Sequence, residues 1–133
     1  MTAQEIDGKA IAAALRGRIG AVVSNLQKQH GKTPGLAVVL VGEDAASQIY
    51  VKNKGLATKE AGMTSLEFRL PGDTPEEVLL EKVRELNADS AVNGILVQFP
   101  VPAQIAQQAV IDTIDAEKDV DGLNPANAGR LVS

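Results

Sequence analysis

Five side chains in this 133-residue sequence have types and positions suited to chemistry. Tyr50 and Lys54 are four apart, which on a helix puts them on one face, while Lys52 and Asn53 point elsewhere. A lysine beside a tyrosine can act as a general acid or base while the ring holds a planar substrate. Such chemistry asks for a partly buried lysine. The same spacing also fits a solvated lysine and a half-buried tyrosine on an ordinary helix surface. Gln98 follows the apolar run 95–97, where a strand delivers its last side chain to a cleft. Pro100 and Pro102 fix the backbone beyond it, which either shapes a cleft wall or simply ends the strand. Asp119 and Asp121 are two apart in Lys-Asp-Val-Asp-Gly. Paired carboxylates can hold a divalent metal or do acid–base work. No histidine or third acidic ligand lies at a fitting spacing, so no metal is expected. A carboxylate accepting hydrogen bonds from paired N–H groups of a ligand fits better, and a plain Asp-Gly turn fits too.

The elements that must position these residues are legible from apolar spacing. Over 7–29, Ile11, Leu15, Ile19, Val22, Val23 and Leu26 recur at helical intervals, with Asp7 as N-cap and Gly31 as stop. Residues 36–41 form a short, β-branched, unalternated run, the pattern of a strand buried on both faces. Asp44 can cap a second helix reaching Ala61, closed by Gly62. Leu66, Phe68 and Leu70 alternate with polar residues, which predicts a strand over 64–70 nearer the sheet edge. A third helix is expected from a cap at Asp73 or Thr74, with Pro75 in its first turn and Val78, Leu79, Val83 and Leu86 on one face. Residues 95–97 read as a third buried strand, residues 104–114 as a short fourth helix, and 118–127 as a loop. The order is one helix followed by three strand–helix units. It predicts a single three-layer α/β domain on a small parallel sheet with right-handed crossovers. Ligands bind such sheets at the carboxyl ends of the strands. Residues 42–54, 98–102 and the loop with Asp119 and Asp121 are all expected there.

Composition narrows the classes. Hydrophobic residues make up 44% and charged residues 23%, the proportions of a globular domain rather than a disordered chain or coiled coil. The absence of cysteine excludes disulfides and thiolate metal sites, and a single histidine, His30, excludes zinc sites with two histidine ligands. Thirteen basic against seventeen acidic residues give a net charge of −4, and Tyr50, Phe68 and Phe99 are the aromatic residues. Neither feature suits a nucleic acid or an anionic membrane as partner. The apolar runs are far too short for a membrane span, and no basic start followed by an apolar block suggests a secretory signal, so a cytoplasmic protein is expected. No glycine-rich dinucleotide motif follows a strand, and no phosphate loop is present.

Three longer stretches carry a resemblance. Residues 41–54 (VGEDAASQIYVKNK), 94–102 (GILVQFPVP) and 118–131 (KDVDGLNPANAGRL) resemble, in order and spacing, the three signatures of the bifunctional methylenetetrahydrofolate dehydrogenase/methenyltetrahydrofolate cyclohydrolase family. The opening Ile6-Asp7-Gly8-Lys9 is also similar, so the resemblance runs from end to end. It implies that residues 1–133 are the catalytic, folate-binding domain of an enzyme that oxidises 5,10-methylenetetrahydrofolate with NADP and hydrolyses the 5,10-methenyl product to 10-formyltetrahydrofolate. By resemblance Lys54 is the catalytic lysine, Gln98 bonds and tunes it, and Asp121 grips the pterin. Tyr50 stacks on the ring system, and Val97, Phe99 and Pro100 line the same pocket. Phe99, Val101 and Leu123 replace other apolar residues common in the family and keep the site's character. The family's second, Rossmann domain, with its NADP site, has no counterpart in these residues, and the expectation is a chain ending at Ser133 near the linker to it. The family also implies tetrahydrofolate derivatives as ligands and a homodimeric parent enzyme. The alternative is a non-catalytic module that binds folate or self-associates.

Overall fold

In the computed structural model, which describes residues 5–132, the chain runs α1 (Gly8–His30), β1 (Gly35–Val41), α2 (Ala45–Glu60), β2 (Thr64–Leu70), α3 (Glu76–Ala88), β3 (Gly94–Val97), α4 (Gln107–Thr113) and α5 (Pro125–Val132). Ser133, the expected edge of a linker, lies outside the described residues. The three strands form one parallel sheet in the order β2-β1-β3. β1 pairs along its full length with β2, from Gly35 opposite Thr64 to Val41 opposite Leu70. On its other side Leu36 to Val39 pair with Gly94 to Val97.

β1 takes the centre because it has no polar side chain to offer solvent. Successive residues leave a strand on opposite faces. Ala37, Val39 and Val41 join Ile95 and Val97 in a cluster covered by Leu79, Leu80, Val83 and Leu86 of α3 and Val110 of α4. Val38 and Leu40 join Leu96 and Val51 of α2 on the other face. The result is three layers: α2, the sheet, and α3 with α4. β2 is an edge strand, as its alternation predicts: Leu66, Phe68 and Leu70 pack inward, while Glu67 and Arg69 are exposed and paired with each other at 2.8 Å. Gly42 ends β1 at φ 92°, a left-handed backbone that favours glycine, and its N–H donates to Leu70 O at 2.9 Å.

Several boundaries depart from the sequence expectations. Thr74 does not cap α3; its hydroxyl donates back to Pro71 O at 2.6 Å, and Pro75 holds the cap position without a side-chain bond. On α3 the buried face is Leu79, Leu80, Val83 and Leu86, while Val78 is 53% exposed. Leu80 lies in the same buried cluster as Val110 of α4, and Val78 lies outside it. α4 starts at Gln107 rather than Gln104, because 102–105 form a turn closed by Ile105 N to Pro102 O, and the Gln104 amide is spent on Gly72 O and Thr74 O. The segment read as a loop to Asn127 turns helical at Pro125.

α1 has the caps expected of it. The Asp7 carboxylate accepts from Ala10 N, and Gly31 closes the helix in left-handed conformation. Its apolar stripe is nevertheless mostly open: Ile11, Leu15, Ile19 and Val22 are exposed and only Val23 is buried. Its anchorage lies in its second half, where Gly20 approaches Ala61, and Gln27 Nε2 donates to Gly62 O at 3.4 Å. No helix among the described residues is long and apolar enough to cross a membrane.

The contrast on α3 gives a direct test. Leu79→Ala removes a side chain with 0% exposure and is expected to destabilise the fold by about 2–5 kcal/mol in urea unfolding. Val78→Ala, one residue earlier, is expected to stay within about 0.5 kcal/mol of the parent.

Candidate functional site

β1 hands the chain to α2 on one face of the sheet, and β3 hands it to α4 on the other. With the strand order β2-β1-β3, the chain therefore parts at the carboxyl ends of β1 and β3. An open parallel sheet binds its ligands in that crevice.

α2 brings two of the candidate side chains there. Asp44 starts the helix by accepting from Ser47 N at 2.9 Å. That backbone bond, with a second from the Ser47 side chain, holds the Asp44 carboxyl below its ordinary value of 3.8, against a small opposing effect of desolvation. Val51 is buried under the sheet, which fixes the helix's rotation. Lys54 is half-buried, and Tyr50, one turn earlier, is 56% exposed.

Gln98 meets Lys54 across the crevice. The Gln98 N–H donates to Val39 O at 2.9 Å, continuing the ladder one residue past β3. Its Oε1 accepts from Lys54 Nζ at 2.7 Å, and its Nε2 donates to Phe99 O at 3.1 Å. An amide has one acceptor end and one donor end, so the two bonds together fix its orientation. Lys54 O in turn accepts from the buried Thr58 hydroxyl at 2.7 Å, which holds this stretch of α2. Val97 is buried in the core cluster. Phe99 is half-buried against the core, and the peptide bond to the exposed Pro100 is cis.

The third segment runs beside β3. Ile95 N donates to Lys118 O at 2.7 Å, and Ile95 forms a parallel bridge with Asp119. Val120 then crosses over Gly94, where a Cβ would lie 2.7 Å from Val120 Cγ2. The two aspartates part company here. Asp119 Oδ2 accepts from Asn124 N at 2.8 Å and Asn127 Nδ2 at 3.2 Å, so it holds the loop together. Asp121 is exposed and has no hydrogen bond or ion pair within the described residues. The pair is thus one structural and one available carboxylate, and no group of three metal-ligating side chains occurs among the described residues.

Of these candidates, the structure joins Lys54 to Gln98 and sets Tyr50 one turn away. Asp121 stands on the strand-flanking loop without touching them. A cleft of about 390 Å³ between α2 and β2, edged by Lys52, Lys59 and Arg69, lies off this site. Residue-by-residue reading overlooked Asp119, Asn124 and Asn127 as the frame of the Asp121 loop. The available signal was Asn124-Pro125: an asparagine cap before a first-turn proline starts a helix, and the Asn124 side chain does accept from Ala126 N at 3.0 Å.

Residues 6–121 match the sequence model described as tetrahydrofolate dehydrogenase/cyclohydrolase, catalytic domain. The chain is 65% identical over its whole length to the bifunctional protein FolD of Parvibaculum lavamentivorans, of which it covers 45%. Among solved structures, a 5,10-methylenetetrahydrofolate dehydrogenase from the silkworm Bombyx mori superposes with a TM-score of 0.94 at 38% identity, covering 98% of this chain and 45% of that one. A methylenetetrahydrofolate dehydrogenase-cyclohydrolase from Trypanosoma brucei, complexed with NADP cofactor and inhibitor, gives 0.93 at 35% identity with the same coverage. The chain thus spans a little under half the length of the relatives it matches.

The cap that starts α2 makes this region acid-sensitive. A carboxyl held below its unfolded value stabilises the fold above that value and loses the contribution as pH falls through the lowered one. Thermal unfolding measured above and below pH 3.8 is therefore expected to show a drop on acidification. Asp44→Asn, which keeps a capping oxygen but cannot titrate, is expected to show a smaller one.

Proposed function

The chain belongs to the tetrahydrofolate dehydrogenase/cyclohydrolase family, and on that premise we propose that residues 1–133 are the catalytic domain of an enzyme that oxidises 5,10-methylenetetrahydrofolate with NADP and hydrolyses the methenyl product to 10-formyltetrahydrofolate. The observation that carries this reading is the Lys54–Gln98 contact at the parting of β1 and β3.

In the hydrolysis, water adds to the one-carbon bridge between N5 and N10, the bond to N5 opens, and a proton leaves. Lys54 Nζ is the group placed to pass protons during these steps. Gln98 holds that nitrogen in place, and Phe99 O holds Gln98. Tyr50 offers its exposed ring to the flat pterin and benzoyl systems. Asp121 offers a free carboxylate to the pterin's amino and ring N–H groups, the geometry a carboxylate satisfies with two parallel bonds. The backbone of Val97 and Phe99, with Pro100, forms the adjoining wall.

NADP supplies the hydride acceptor for the oxidation, and the residues present do not fit a dinucleotide. The turn after β1 is Gly42-Glu43-Asp44, and the Asp44 carboxylate already occupies the α2 N-terminus, where a pyrophosphate would sit. No step of the oxidation is therefore assigned to a residue that binds the cofactor. We further place the enzyme in the cytoplasm as a homodimer, and the open stripe of α1 is apolar surface that a further contact can cover.

Calorimetric titration with 5-formyltetrahydrofolate and an absorbance assay of methenyl hydrolysis test the reading. Asp121→Asn is expected to weaken binding about tenfold, the loss of one charge-assisted bond. Lys54→Met is expected to keep affinity within about threefold yet to abolish any hydrolysis the chain performs. No reduction of NADP by these residues alone is expected. Wild-type affinity in both Asp121→Asn and Tyr50→Ala overturns the assignment.

A further inference from the structure

Lys118 is bonded through every polar group it has. Its N–H donates to Asp115 O at 2.9 Å, and its carbonyl accepts from Ile95 N at 2.7 Å. Its ammonium donates to three carbonyls at the end of α3: Asn87 O at 2.8 Å, Asp89 O at 3.0 Å and Leu86 O at 3.3 Å. An ammonium has three protons to give, and here each has an acceptor.

α3 needs that charge. Its last turn contains no basic residue, and it ends at Asp89, an acidic side chain at the negative end of the helix dipole. The carbonyls that a helix leaves open at its C-terminus must be met from elsewhere. The Asn87 side chain adds a second tie to the same stretch, donating to Thr113 O at 2.8 Å and accepting from Asp115 N at 2.9 Å. Three residues beyond Lys118, Asp121 is exposed and has no side-chain bond among the described residues. Between them, Asp119 and Val120 are committed to Asn124 and Gly94.

We propose that Lys118 is a positioning residue for the substrate: its ammonium locks the Asp121 loop to the end of α3, beside β3, and so holds the Asp121 carboxylate in place. A free carboxylate on a surface loop would otherwise sample many orientations, and the ligand would have to order it on binding. The Lys118 clamp removes that cost beforehand. The inference rests on the proposed role of Asp121 and extends it to a side chain that touches no ligand.

Binding of 5-formyltetrahydrofolate by calorimetry, on the parent, Lys118→Met, Lys118→Arg, Asp121→Asn and the double variant Lys118→Met/Asp121→Asn, tests it. Lys118→Met is expected to weaken binding about tenfold, while Lys118→Arg, which keeps a charged donor, recovers most of the affinity. In the Asp121→Asn background Lys118→Met is expected to add almost nothing, because the carboxylate it serves is gone. A purely structural lysine lowers the unfolding midpoint but leaves the affinity of folded protein unchanged; that result overturns the proposal, and so does full additivity of the two substitutions. If Lys118→Met does not fold, Asn87→Ser loosens the same junction from the other side. It is expected to weaken binding about threefold and to speed amide exchange at Asn124, and parent-like values in both overturn the proposal. Parent-like binding by Asp121→Asn overturns this inference, and parent-like binding by Tyr50→Ala as well overturns the folate assignment itself. Loss in Asp121→Asn without loss in Lys118→Met or Asn87→Ser overturns this inference alone.

Discussion

Seven consecutive residues of β1, Gly35 to Val41, include no polar side chain, and the structure is organised around burying them. Such a strand is stable only with a neighbour on each edge and a cover on each face. The sequence contains two further strands, so β1 must take the middle, and the helices must divide between the faces. Right-handed crossovers then leave one arrangement in which β1 and β3 send the chain to opposite sides. The crevice holding Lys54 and Gln98 is therefore a by-product of satisfying β1. No residue had to be set aside to excavate it.

The chemistry at that crevice is built from ordinary parts used with strict polarity. Gln98 is an amide whose acceptor end faces an ammonium and whose donor end faces a carbonyl. The Asp119–Asp121 segment divides two identical side chains between framework and function at a turn, closed by Gly122 N donating to Asp119 O at 3.4 Å, with one carboxylate bonded into the loop and the other left to solvent. Such a division lets a short loop be rigid and still present a free charge.

Much of this was legible in the sequence. Strand positions, edge against centre, the caps at Asp7, Gly31 and Asp44, and the candidates Tyr50, Lys54, Gln98 and Asp121 follow from period, turn chemistry and motif. Local signals failed where a neighbour decides. Val78 and Leu80 are both apolar, and only the elements packed on α3 decide which is buried. Thr74 is an excellent cap by type, but its hydroxyl finds Pro71 O first. The division between Asp119 and Asp121 was unreadable, since it depends on Asn124 and Asn127 returning from a helix that was itself taken for loop. Lys118 is the clearest case: its three acceptors lie 29 to 32 residues away along the chain, beyond the reach of any window.

α1 stands apart from this economy. Neither hydrophobic cluster includes any of its residues, and no strand depends on it for a hydrogen bond. At 23 residues it is long enough to sustain helix largely from its own backbone, with Val23 and Gln27 as tethers. The chain therefore has two levels of cooperativity. The sheet and its covering helices share the two buried clusters, while the first half of α1 has no buried residue and is free to unwind turn by turn at little cost to them. A heat or denaturant transition followed by helix content and one followed by the core thus report on different populations, and the steeper of the two belongs to the sheet.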